Sequence, residues 1–138
     1  MLITRRVEFS ASHVCRNPLL SDLENEQLFG AAANPHGHGH NYVVDVTLEG
    51  DPDPVTGMVL DLKELKEIVT RQVLDVYDHR FLNHEVQPFD RVVPTVENIT
   101  IDIWRRLEPR LSTQGARLYG VRVYETPDLY ADYFGEAA

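Results

Sequence analysis

The chain has a single cysteine, few cationic side chains and no long apolar run. Its one cysteine, Cys15, cannot form an internal disulfide bond, which is typical of proteins from a reducing compartment such as the cytoplasm. Asp and Glu outnumber Lys and Arg by 22 to 13, and the formal net charge of -9 argues against nucleic acids and anionic membranes as partners. Anionic small molecules stay possible as ligands, because local basic residues override the net charge.

Segments that enter or cross a membrane are also missing from the sequence. No apolar run reaches the length of about 18 residues that a transmembrane helix needs. The first residues, Met1 to Arg6, lack the apolar stretch of a signal peptide. The sequence therefore predicts a cytoplasmic protein, and its 138 residues, 43% of them hydrophobic, fit a single domain over 1–138.

Alternation of apolar and polar residues with a period of two predicts the strands. His13 lies on the apolar face of the first of them. His38 and His40 share one face of the second with Tyr42, Val44 and later apolar residues. The pattern occurs over residues 7–13, 38–48 and 119–125, and residues 129–134 are expected to form a fourth strand.

Helical spacing of apolar residues predicts two helices. The first covers residues 62–76, with Asp61 as its N-cap, and the second begins after Thr95. About one helical turn is expected near residues 22–29, inside the long connection between the first two strands. The order strand, strand, helix, helix, strand, strand predicts an α+β fold in which helices cover one face of an antiparallel sheet.

The motif His38-Gly39-His40 is the most specific feature of the sequence. Residues two apart in a strand point to the same side, so the two imidazoles can share one metal ion. His13, on the neighbouring strand, is the best third ligand, and three histidines leave a fourth position open, as in catalytic zinc sites. His36 is excluded, because a straight strand places it about 13–14 Å from His40. The spacing alone favours a metal site no more than its alternative, in which His38-Gly39-His40 is simply the polar start of a strand that binds no metal.

Two carboxylates form the second group of candidates. In Asp78-His79, after the first predicted helix, the carboxylate can orient the imidazole and raise its basicity, or the pair can be a surface helix end. Glu125 ends an otherwise apolar strand face, where a buried carboxylate needs a partner such as an amidine-like ligand group. The alternative for Glu125 is a strand end in solvent. His84 shows no partner and is expected to be exposed.

Taken together, these segments resemble the 6-pyruvoyltetrahydropterin synthase family, in the family's order and over nearly the whole chain. The matching segments are Phe9-Ser10-Ala11-Ser12-His13, Leu28-Phe29-Gly30, Asn34-Pro35, Gly37-His38-Gly39-His40-Asn41-Tyr42, Thr56-Gly57-Met58-Val59, Asp78-His79, Glu97-Asn98 and Val123-Tyr124-Glu125-Thr126. The resemblance implies the tunnelling fold (T-fold), a four-stranded antiparallel sheet with two helices on one face. It also implies a homohexamer, a dimer of trimers with sites between subunits.

The resemblance further implies a zinc-dependent carbon–oxygen lyase with His13, His38 and His40 as the zinc ligands. The implied reaction converts 7,8-dihydroneopterin triphosphate to 6-pyruvoyltetrahydropterin and triphosphate, in tetrahydrobiopterin biosynthesis. It needs no external redox cofactor, because the side chain of the substrate is rearranged by internal oxidation and reduction.

The family's other site residues map onto five positions of this chain. Glu125 corresponds to the glutamate that anchors the pterin ring, and Glu97 and Thr95 support the same pocket. Asp78 and His79 correspond to the pair that assists proton transfer. The resemblance therefore implies a substrate-binding group and a catalytic pair besides the zinc ligands.

One position departs from the family pattern. The family's catalytic cysteine lies six residues before the first histidine of the His-Gly-His motif, and here that residue is Ala32; an alternative alignment gives Asn34. Neither residue can act as a base. Three explanations stay open: a deliberate substitution that traps substrate, a natural variant with altered chemistry such as side-chain cleavage, or replacement of the missing thiol by Cys15.

Three other functions compete with an impaired pyruvoyl synthase. The first is 6-carboxytetrahydropterin synthase, which uses the same substrate on the route to queuosine; Leu28-Phe29-Gly30 and Asn34-Pro35 favour the pyruvoyl branch instead. The second is a non-catalytic pterin-binding protein. The third, a purely structural zinc protein, ranks last because no fourth protein ligand is found.

Overall fold

A computed structural model describes residues 1–113 and 115–136. The strands are β1 (Leu2–His13), β2 (His38–Gly50), β3 (Arg80–Phe81), β4 (Ala116–Thr126) and β5 (Leu129–Tyr133). The helices are α1 (Asp22–Phe29), α2 (Leu62–Val69), α3 (Asp75–Tyr77), α4 (Leu82–Glu85) and α5 (Val96–Leu111). A 3₁₀ turn covers Gly30–Ala33 and a π-helical segment covers Thr70–Leu74.

The strands form one sheet in the order β3-β1-β2-β4-β5. Neighbouring strands are antiparallel, except that β3 runs parallel to β1 and pairs with only Ala11 and Ser12. The α+β class is confirmed, but the expected four-stranded sheet is wrong, because the described sheet has five strands. β3 was missed because a two-residue strand is too short to show a period of two.

The expectation of two helices was also incomplete. α1 is a full helix with a capping box between Ser21 and Glu24, although its leucines, Leu23 and Leu28, are exposed. A helix without an apolar stripe gives no helical periodicity. α4 is only four residues long, so its sequence carries no period either.

The segment predicted as one helix over 62–76 is α2, a π-helical segment and α3 in direct succession, with Asp61 accepting from the amide of Lys63. Its buried residues recur every fourth position: Leu65, Val69, Val73 and Tyr77. An α-helix has about 3.6 residues per turn, so this spacing drifts by about 40° per step. The π-helical segment, with its wider turn, reverses that drift and keeps Tyr77 in the core.

The core lies between one face of the sheet and the helices α2 and α5. It joins Phe9, Tyr42 and Val44 of the sheet to Ile99 and Leu107 of α5, all of them buried. Between Thr47 and Leu48 the register with β4 shifts by one residue at Tyr119. Tyr119 therefore leaves the face of Val121, where the period of two had placed it, and its ring meets that of Phe134 edge to face. Within the described ranges, every helix is too short or too polar to traverse a bilayer.

Candidate active site

The structure brings the three histidines predicted as metal ligands together. In the β1–β2 ladder His13 lies opposite His38, and His40 is two residues further on the same face of β2. One nitrogen of each ring lies within 4.8 Å of the others, and the Nε2 atoms of His13 and His38 are 3.0 Å apart. His36 lies exposed in the preceding turn, outside this group.

His13 is held in the tautomer that a metal ligand requires. Its ring is fully buried, and its Nδ1 lies 2.7 Å from the carbonyl oxygen of Pro94. Because a carbonyl only accepts hydrogen bonds, Nδ1 carries the proton and Nε2 keeps its lone pair. Burial lowers the pKa of His13 to about 4, although the bond to Pro94 opposes this shift. Burial also lowers the pKa of His40, so two of the rings favour the neutral form that binds zinc.

Glu125 is directed at the histidines. One carboxylate oxygen lies 3.6 Å from Nε2 of His13 and 3.6 Å from Nε2 of His40. The β4–β5 register shifts between Tyr124 and Thr126, so Glu125 sits in a bulge, a feature that often aims a side chain into a site. This position suits a carboxylate that accepts hydrogen bonds from a ligand beside the histidines, and it is close enough for Glu125 to compete as a fourth ligand.

The loop before α5 supports this cluster through main-chain atoms. Thr95 caps α5 by accepting from the amide of Asn98, and the Asn98 side chain donates to the carbonyl of Val93. These bonds fix the loop that contains Pro94, whose carbonyl holds His13. Glu97 is exposed in the first turn of α5. The structure thus places Thr95 and Glu97 beside the candidate site, whereas their role with a ligand stays a prediction.

Cys15 and Ala32 are neighbours. The amide of Cys15 donates to the carbonyl of Ala32 over 2.9 Å, and Cys15 is buried. Burial, together with the charges of Glu125 and Glu97, raises the pKa of the thiol to about 11. The thiol near this site is therefore protonated at neutral pH, and position 32 itself carries no ionisable group.

Asp78 and His79 contact each other but not the histidine cluster of the same chain. Nδ1 of His79 lies 3.1 Å from the Asp78 carboxylate, which also accepts from the amide of Ser10. The Ser10 amide is the main cause that lowers the pKa of Asp78. Ser10 faces the opposite side of β1 from His13, and in the described part of the chain no polar contact joins His79 to the three histidines.

Two features of this region were not predicted. His79 has a left-handed backbone, with φ of 60°, an unusual conformation for a residue other than glycine and one that is enriched at functional sites. His84 is exposed as expected, but it has a partner after all, because it stacks on Phe81 at 4.8 Å. Stacking between residues three apart was not visible from charge or periodicity.

The fold and the site together define an α+β protein whose sheet presents three converging imidazoles beside a carboxylate. The family model of 6-pyruvoyl tetrahydropterin synthase matches residues 2–136, and the chain belongs to this family. The resemblance found in the sequence is thereby confirmed.

Individual relatives agree with this assignment. The chain is 45% identical to the 6-pyruvoyl tetrahydrobiopterin synthase of Homo sapiens over 134 residues, which cover 97% of this chain and 91% of the human protein. The structure of Caenorhabditis elegans 6-pyruvoyl tetrahydropterin synthase superposes with a TM-score of 0.93 at 41% identity, over 99% of this chain and 96% of that one. A 6-carboxy-5,6,7,8-tetrahydropterin synthase of Rickettsia conorii is 24% identical, over 94% of this chain and 96% of its own length.

Proposed function

We propose that this chain is a cytoplasmic, zinc-dependent carbon–oxygen lyase of the 6-pyruvoyltetrahydropterin synthase type, acting in tetrahydrobiopterin biosynthesis. Its substrate is 7,8-dihydroneopterin triphosphate, and its turnover is impaired by Ala32. The observation that carries the proposal is the convergence of His13, His38 and His40 beside Glu125. The names of the human and Caenorhabditis elegans relatives, both 6-pyruvoyl synthases, support the pyruvoyl branch.

The donor set fits a zinc ion. Three imidazole nitrogens converge, and the tautomer of His13 is fixed by Pro94. When bound there, zinc supplies a Lewis acid for the hydroxyl groups of the substrate side chain. Glu125 then anchors the pterin by accepting two hydrogen bonds from its amidine-like edge, a charge-assisted contact that also fixes the orientation of the ring.

Proton transfer is assigned to Asp78 and His79 acting on the site of an adjacent subunit. Support for this arrangement comes from their bonds to the main chain of Ser10 at the edge of β1, together with the lack of any polar contact to the three histidines in the described part of the chain. The sheet also has open edges in the described part of the chain, along β5 and along residues 2–9 of β1. Such edges favour pairing with another copy, in line with a hexamer built from two trimers.

A second candidate, a non-catalytic pterin-binding protein, is favoured by one observation. Ala32 offers no acid or base, and the thiol of Cys15 beside it is protonated at neutral pH because its pKa is raised to about 11. This candidate differs from the first in predicting tight binding of pterin and zinc without turnover in any variant at position 32.

The proposal is tested on the zinc-loaded protein with 7,8-dihydroneopterin triphosphate, by following pterin binding, triphosphate release and product mass. We expect saturable binding with slow release of triphosphate and a product of the mass of 6-pyruvoyltetrahydropterin. A product of the mass of 6-carboxytetrahydropterin would move the chain to the queuosine branch. Absence of pterin binding would remove the proposed substrate.

Glu125→Ala is expected to weaken pterin binding about 100-fold and to leave the zinc content unchanged, because two charge-assisted hydrogen bonds are lost. Pterin affinity is measured by calorimetry and zinc by elemental analysis of the dialysed protein. The pterin affinity of Glu125→Gln, which keeps the shape of the side chain but not its charge, should fall between those of the parent and Glu125→Ala. Loss of zinc in the alanine variant would make Glu125 a metal ligand and the site a closed one.

A further inference from the structure

Residues 78–83 run along the end of β1 that carries His13. The amide of His79 donates to the carbonyl of Ser10 over 2.6 Å, and β3 then pairs in parallel with the next two residues of β1. Beyond β3 the chain turns into α4, and Asn83 reaches back to Val14. The segment thus binds β1 on both sides of His13 in the sequence.

Asn83 takes the place of a strand neighbour for Val14. Its side-chain oxygen accepts from the amide of Val14 over 2.8 Å, and its side-chain nitrogen donates to the carbonyl of Val14 over 2.9 Å. Val14 is buried and follows the last residue of β1. Buried main-chain groups need partners, and one amide side chain supplies both here.

The other side of the same backbone is confined by Gly37. A Cβ atom on Gly37 would lie 3.3 Å from the carbonyl oxygen of His13 and 3.4 Å from the ring of Phe81, and the residue has a φ of 75°. The main chain of His13 and Val14 therefore lies in a narrow space between Gly37 and Asn83. The carbonyl of Pro94 holds the His13 ring at Nδ1. The position of Nε2, on the other side of the ring, then depends on where the main chain of His13 and Val14 lies.

We propose that Asn83 is a positioning residue of the metal centre: it fixes the main chain of Val14 and thereby holds Nε2 of His13 at the point where His38 and His40 converge. The inference rests on the proposed zinc site. It gives β3 and α4 a role in the centre, although neither contributes a ligand. Asn83 acts without touching the metal, so its effect is on affinity and geometry.

The test is the zinc dissociation constant, measured by competition with a chelator. Asn83→Leu, which has a similar volume and no hydrogen-bonding group, is expected to raise that constant about 10-fold, at the lower end of the usual effect of outer groups around a metal. Asn83→Asp keeps the acceptor for the Val14 amide and loses the donor, so a smaller rise is expected, and it serves if Asn83→Leu does not fold. The ligand-field spectrum of the cobalt-loaded protein should change in the same order.

Asn25→Leu is the matched control. Asn25 is buried and holds the backbone of Asn17 with the same pair of bonds, at 2.7 and 3.0 Å, but Asn17 adjoins no histidine. The zinc dissociation constant and the cobalt spectrum of Asn25→Leu should match those of the parent. Unchanged zinc binding in both Asn83 variants, or an equal loss in Asn25→Leu, overturns the positioning role alone, whereas a parent that binds no zinc overturns the proposed function together with it.

Discussion

Replacing Ala32 by cysteine is expected to raise the rate of triphosphate release from 7,8-dihydroneopterin triphosphate by about 10²- to 10⁴-fold, the usual contribution of one general acid or base. The reason is the sequence resemblance, which implies a catalytic cysteine at position 32, in a chain whose three histidines and Glu125 converge. Ala32 is half-buried in the 3₁₀ turn, and its carbonyl accepts a hydrogen bond from the amide of Cys15. The thiol of Cys15 is close enough to Glu125 and Glu97 for their charges to raise its pKa. A thiol introduced at position 32 is therefore expected to lie beside the candidate active site that contains Glu125.

The measurement is single-turnover release of triphosphate with product mass, on the parent and the Ala32→Cys variant. A reducing agent is needed, because the main chains of Cys15 and Ala32 are joined by a hydrogen bond, and thiols at these two neighbouring positions can form a disulfide bond. The experiment is therefore repeated in a Cys15→Ala background. Ala31→Cys and Ala33→Cys are the matched controls, since they add the same thiol one residue away, and neither should gain activity.

The outcomes separate the open explanations for Ala32. Turnover in Ala32→Cys alone identifies a synthase silenced at one residue, and the product mass then names its branch. Turnover in the parent that disappears in Cys15→Ala would make Cys15 the substitute thiol, against the expectation from its raised pKa. No turnover in any variant would contradict the lyase proposal for this substrate and favour the pterin-binding protein.

The convergence of the histidines could be predicted because it follows from periodicity within two strands. Alternation places His13 on the apolar face of β1 and His38 with His40 on one face of β2, so antiparallel pairing suffices to bring the rings together. The helix over 62–76 was predictable for the same reason, although its π-helical segment was not. The π-helical segment corrects the rotation of the buried residues around the helix axis. A short sequence pattern does not resolve so small a rotation.

Other parts of the site depend on contacts between distant segments, which no local pattern encodes. The bond from His13 to the carbonyl of Pro94 joins residues 81 apart in the sequence, and it involves a main-chain atom that every residue has. The pair of bonds from Asn83 to Val14 spans 69 residues. The nearness of Cys15 to Ala32 likewise follows from how the connection after β1 folds back, which composition does not fix.

His38→Ala is expected to lose zinc on dialysis while keeping the fold. Zinc held by four ligands in small domains is bound by about 10–16 kcal/mol, so one ligand accounts for about 3 kcal/mol and its removal weakens binding by at least about 10²-fold. His38 is half-buried at the first position of β2, whereas the core residues of that strand begin at Tyr42. Circular dichroism and thermal melting should therefore stay close to those of the metal-free parent.

The matched control for His38→Ala is His36→Ala. His36 stands two residues before His38 in the sequence, but it is exposed and lies in a turn. Its removal should leave the zinc content of the dialysed protein stoichiometric, as measured by elemental analysis. Stoichiometric zinc in the His38 variant would disprove the ligand assignment, and loss of zinc in the His36 variant would mean that the turn rearranges to bring His36 to the metal. Only loss in the first and retention in the second agrees with a centre built from His13, His38 and His40, because the β1–β2 register places those three rings, and not His36, within reach of one ion.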